Sequence, residues 1–147
     1  MEKQPRYTLG KADKLKSAKA IEQIFKEGKS FSLFPFRVLY LYLEAPASSN
    51  VTKLEAGASN LQTAFSVSKK YFKKAVDRNR IKRLMREGWR LQKNTLANKL
   101  NTTNKHFKVF IIYTGNELPE YDLVFEKTTA VIKRLIKIYN EATVSNT

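Results

Sequence analysis

The segment FKVFIIYTG, residues 107–115, is apolar on both of its alternating faces, as expected of a strand buried in the middle of a sheet. Such a strand needs neighbours, and two further segments alternate strictly. In FRVLYLYLE (36–44), Leu39, Leu41 and Leu43 fall on one side and Val38, Tyr40 and Tyr42 on the other. In LQTAFSVSKK (61–70), Phe65 and Val67 oppose Ala64, Ser66 and Ser68. Helical patterns flank these segments. LKSAKAIEQIFKEG (15–28) repeats Ile21, Ile24 and Phe25 at i, i+3 and i+4, with Ser17 placed to cap and Gly28 to terminate. A long helix runs from about Lys74 to Leu100 until NTTNKH breaks it. Pro119 and Asp122, the latter as cap, introduce a last helix with Phe125, Thr128, Thr129, Ile132, Leu135, Ile136 and Tyr139 along one side. GKSFSLFP (28–35) reads as a turn. The order is helix, strands, helix, strand, helix, which is an α+β chain without internal repeats.

With 147 residues, 42% of them hydrophobic, the chain fills one ordinary domain. The expected limits are residues 15–140, with a flexible basic tail at 1–14, a C-terminal tail at 141–147, and a flexible loop at 45–62 where APASSNVTKLEAGASN loses all periodicity. There is no cysteine, which removes disulfides and thiolate chemistry and suits a reducing compartment. The first residues lack the apolar core of a secretory signal, and no run approaches the roughly 20 apolar residues of a membrane span. A cytoplasmic location is expected.

The composition carries 28 Lys and Arg against 13 Asp and Glu, a formal +15. Residues 69–93 alone hold eleven cations against Asp77 and Glu87, a net +9. Self-repulsion of this size opposes compaction and points to a polyanionic partner, nucleic acid before membrane. Resolved at about 100° per residue, Ile81, Leu84, Met85, Gly88 and Gln92 form one side of the long helix. Asn79, Lys82, Arg83, Arg86, Arg90 and Lys93 form the other, with Arg78 and Arg80 on the flanks. A solvated surface helix mixes signs at i, i+4, whereas here only Glu87 interrupts, so a phosphate-binding stripe is the better reading. Lys69 and Lys70 extend it toward the preceding strand.

If the leucine face of 36–44 and the Phe65/Val67 face both pack under helices, the opposite sheet face displays Val38, Tyr40, Tyr42, Ser66 and Ser68. Aromatics among hydroxyls suit the stacking of unpaired bases. From strand composition alone, Tyr40 is more simply half-buried strand filler.

FSVSKK (65–70) followed by AVDRNRIKRLMRE (75–87) resembles the signature of the bacterial ribonuclease P protein subunit, the basic partner of a catalytic RNA. The resemblance runs from about Leu15 to Tyr139. It departs in the polar segment 45–62, in an extra residue within SKKYFKKAV, and in Ile21 where an aromatic is common. It implies α-β-β-β-α-β-α order, a central, mostly antiparallel sheet and a left-handed β-α-β crossover of the ribosomal protein S5 domain 2-like kind, against the usual right-handed rule. It also implies that Arg78, Asn79, Arg80, Lys82, Arg83 and Arg86 bind the RNA subunit near the cleavage site. A cleft of Phe25, Ser30, Val38, Tyr40, Ser66 and Ser68, with Lys70 beside it, would hold the single-stranded 5′ leader of precursor tRNA. The resemblance thus turns Tyr40 from filler to ligand.

No D-x-D, H-E-x-x-H or Gly-rich phosphate loop is present, the acids are scattered, and His106, the one histidine, reads as a surface residue. A protein-only phosphodiesterase needs metal-binding carboxylates or an acid–base pair. No catalytic residue, metal or cofactor is therefore assigned to the chain, and the resemblance implies that RNA-bound Mg2+ supplies the chemistry. A structural RNA binder of ribosomal type would share charge and element order without needing the open Tyr/Ser cleft.

Overall fold

The strand over residues 106–113 does sit inside the sheet. The computed structural model describes residues 14–43 and 60–145, as α1 (Ala18–Glu27), β1 (Lys29–Leu33), β2 (Phe36–Leu43), β3 (Leu61–Val67), α2 (Ala75–Gln92), α3 (Asn94–Thr103), β4 (His106–Tyr113) and α4 (Tyr121–Ser145). Strand order is β1-β2-β4-β3, with β4 antiparallel to β2 and parallel to β3. A parallel pair needs a long connection, and α2 with α3 provides it.

Capping signals in the sequence correspond to real ends. Ser17 Oγ accepts from the Ala20 amide at 3.3 Å, and the Gly28 amide donates to Ile24 O at 2.9 Å. A Cβ on Gly28 would lie 2.7 Å from Tyr40 O, so the chain passes from α1 to the sheet edge only with glycine there.

Several expectations need correction. Residues 29–33, read as part of a turn, form β1, paired in register with β2; five residues of mixed polarity on an edge strand carry little alternation to detect. The long helix is two, because Lys93 ends α2 and begins α3, and Asn104 closes α3 in the left-handed region at φ 55°. Residues 61–62 belong to β3 rather than to a loop, and α4 continues through 141–145. Asp122 lies inside the first turn of α4 instead of capping it, where its charge still complements the helix N-terminus. His106 is only 6% exposed, and its Nδ1 has no hydrogen-bond partner among the described residues. Burial, then Lys108, lowers its pKa, so the imidazole is neutral. The readings of 1–13 and 45–59 lie outside the described residues.

The two sheet faces are covered unequally. One packs under α2, α3 and α4 around Phe36, Val38, Ile81, Met85, Trp89, Phe107, Val109 and Leu135. Among the described residues, the other carries α1 alone over a small cluster of Leu15, Ala20, Ile24 and Leu39.

Candidate nucleic-acid interface

The register decides which side chains can meet a ligand together. Val38 and Phe65 both stand opposite Ile111, and Tyr40 opposite Val109. Val38, Tyr40, Phe65 and Val67 therefore share the heavily covered face. Leu39 and Ala64 flank Phe110, and Arg37 and Ser66 flank Ile112, on the α1 face. The expected grouping of Val38 and Tyr40 with Ser66 is thus corrected, since they lie on opposite sides of the sheet. Val38 is 0% and Tyr40 9% exposed, and the Tyr40 ring packs between Phe31 and Phe107 at 5.8 and 6.0 Å. Tyr40→Ala is accordingly expected to act on stability, costing about 3–5 kcal/mol as for other large aromatic truncations in cores. Chemical denaturation checks this, and an unchanged midpoint would refute the core placement.

What α1 leaves open is a different surface from the one expected. Phe25 is 55% exposed and meets Phe110 edge to face at 5.5 Å. Around this pair lie half-buried Leu41, Ala64, Ile112 and Ser66, and exposed Ser30, Ser32 and Arg37. An aromatic edge, hydroxyls and a guanidinium on one shallow face can stack a base and hold its phosphate. The carboxylates on α1 are engaged locally: Glu22 pairs with Lys26 at 3.4 Å, and Glu27 accepts from Gln23 at 3.1 Å. Of the expected cleft residues, Phe25, Ser30 and Ser66 are here. Ser68 lies beyond the end of β3, where its Oγ accepts from the Lys70 amide at 3.2 Å and shapes a turn. Arg37, Ser32, Phe110 and Ile112 were not anticipated; for Arg37, Phe110 and Ile112 the signal was membership of the Leu39/Leu41 face and of the second face of β4, whereas Ser32 lies on β1, which was read as a turn.

The second surface is the exposed side of α2. Ile81, Met85 and Trp89, each at most 1% exposed, anchor the helix, with Leu84 partly buried beside them. Trp89 went unplaced from sequence although it continues the Ile81/Met85 spacing. At Gly88 an added Cβ would stand 3.3 Å from Thr128 Oγ1, so α2 and α4 cross closely. Gln92 tightens that crossing by donating to Phe125 O at 3.1 Å and accepting from the Thr129 hydroxyl.

On the outer side, Asn79, Arg80, Arg83 and Arg86 are exposed and Lys82 half-exposed, and none of these cations has an acidic partner among the described residues. Lys69, Lys70, Lys73 and Lys74 are exposed ahead of the helix, and the Lys70 ammonium lies 5.3 Å from the Tyr71 ring centroid. Three cations read onto the stripe behave otherwise. Arg78 Nη1 donates to Phe72 O and Lys73 O, both at 2.8 Å, which ties down the approach to α2. Arg90 holds Glu87 through two hydrogen bonds, and this pairing pulls the Glu87 carboxyl below its ordinary pKa and answers the Arg90 charge locally. Lys93 is 6% exposed, turned inward where α2 gives way to α3.

Among the described residues no three His, Cys, Asp or Glu side chains gather as a metal site, and no helix is long and apolar enough to cross a membrane.

Comparison with known proteins points in one direction. The family model described as Ribonuclease P matches residues 9–139. A ribonuclease P protein component of Porphyromonas gingivalis W83 is 33% identical over 134 residues, covering 91% of this chain and 88% of that one. The ribonuclease P protein structure from Thermotoga maritima superposes with a TM-score of 0.58 at 26% identity, over 82% of this chain and 96% of that one. The Staphylococcus aureus RNase P protein structure shares the fold, with a TM-score of 0.57 at 21% identity over 85% and 96% of the two chains.

Proposed function

Since the chain belongs to the ribonuclease P protein family and so to tRNA processing alongside an RNA subunit, we propose that it binds that RNA through α2 and the single-stranded 5′ leader of precursor tRNA through the α1 face. The observation that carries this reading is the pairing, among the described residues, of a cationic helix side without acidic partners with an aromatic, hydroxyl-lined face covered only by the ten-residue α1.

Asn79, Arg80, Lys82, Arg83 and Arg86, with Lys69 and Lys70, meet phosphates, which supplies attraction and orientation without reading sequence. Arg78 acts mainly by holding the entrance of α2 in place. On the α1 face Phe25 and Phe110 stack a leader base, Arg37 meets its phosphate, and Ser30 and Ser66 hydrogen-bond its edges. The chain's contribution to cleavage is then binding and positioning. On this reading Mg2+ acts from the RNA of the ribonucleoprotein, and no step is assigned to a metal held by the protein.

The protein freed of all RNA is expected to leave precursor tRNA intact. Adding a ribonuclease P RNA at low Mg2+ should restore 5′-leader removal, with a 5′-phosphate on the mature product. Cleavage that follows the protein after complete RNA removal would overturn the assignment of the chemistry to the RNA.

A further inference from the structure

Tyr40 is nine-tenths buried, and a buried tyrosine that reaches a pocket can offer its hydroxyl to a ligand there. The side chain lines a pocket of about 400 Å3 between the β1 edge and α4, on the sheet side away from α1, whose walls are Lys29, Ser30, Phe31, Tyr40, Arg134, Ile138, Glu141 and Ala142. That volume falls within the range of small-ligand sites. Lys29 and Arg134 enter it from different elements, and neither has an acidic partner within ion-pair distance among the described residues. The Arg134 guanidinium lies over the Phe31 ring, 5.7 Å from its centroid, which orients it while leaving its N–H edge for an anion. Burial raises the Tyr40 pKa, so the phenol remains a donor at neutral pH.

We propose that this pocket binds one phosphate-bearing nucleotide unit, its phosphate between Lys29 and Arg134 and its sugar or base edge against the Tyr40 hydroxyl and Glu141. Glu141 sets the class of ligand. Its carboxylate opposes a bare, highly charged anion but accepts from ribose hydroxyls and base amino groups. Phe31 and Ile138 supply an apolar wall for the remainder. The site lies across the sheet from the α1 face, so the inference does not depend on the leader reading.

The test is a backbone-amide NMR titration of the full chain at 0.15 M salt, with cytidine 5′-monophosphate in one arm and a short single-stranded oligoribonucleotide in the other. Saturable shifts are expected at Lys29, Phe31, Tyr40, Arg134, Ile138 and Glu141. Arg134→Gln should weaken them at least tenfold and Tyr40→Phe severalfold, the latter keeping the core ring. The same shifts at lower oligoribonucleotide concentration would identify the unit as part of an RNA strand; a mononucleotide that binds as tightly would identify a free nucleotide. Shifts confined to the exposed side of α2, or pocket shifts indifferent to Arg134→Gln, would overturn the proposal.

Discussion

Replacing Arg80, Arg83 and Arg86 together by glutamine is expected to lower affinity for the RNA subunit on the order of 100-fold at 0.15 M salt. Each phosphate contact that releases a counterion contributes about 0.7–0.9 to the slope of log K against log salt, so losing three should flatten the slope by roughly 2 to 3. Carried from 1 M to 0.15 M salt, that difference amounts to about two orders of magnitude. The fold should survive, because all three side chains are exposed while Ile81, Met85 and Trp89 anchor the helix from its other side. Glutamine also keeps the stem length and is a good helix former. Filter binding of the labelled RNA subunit across a salt series, with circular dichroism as the folding control, measures both quantities. An unchanged slope would place the RNA surface somewhere other than α2.

Phe25→Ala should separate the two surfaces. A stacked base contributes roughly 1–3 kcal/mol, so the holoenzyme should lose about 5- to 150-fold in affinity for precursor tRNA. Mature tRNA has no leader, and its binding should stay within twofold of the unaltered protein. Arg37→Gln should act in the same direction, with a loss that shrinks as salt rises. Phe25 is more than half exposed while its neighbour Ile24 is fully buried, so the truncation removes little of the core under α1. Equal losses for precursor and mature tRNA would show that this face does not hold the leader.

These two experiments differ in how far the sequence alone could have specified them. The stripe on α2 was legible because helical periodicity is local: Ile81 and Met85 inward dictate Arg83 and Arg86 outward without reference to any other element. The exceptions depended on contacts. Arg90 is answered by Glu87, Arg78 is spent on the carbonyls of Phe72 and Lys73, and Lys93 turns inward where one expected helix becomes two. None of these facts is carried by spacing.

The leader face shows the limit more sharply. Alternation correctly grouped Leu39 with Leu41, Tyr40 with Val38, and Phe65 with Val67, because successive side chains in a strand must oppose one another. It could not say whether Tyr40 shares a side with Phe65 or with Ser66. That parity is set only when both strands register on β4, and a shift of one residue would exchange every partner. Sequence by itself therefore determined the elements, the capped ends of α1, the charge and its concentration on α2, and the family signature. Only the tertiary structure decided that Tyr40 belongs to the core and that Phe25, Phe110 and Arg37 form the open face. The reason is that strand register, and the packing of α1 on one side of the sheet, are products of long-range pairing and packing.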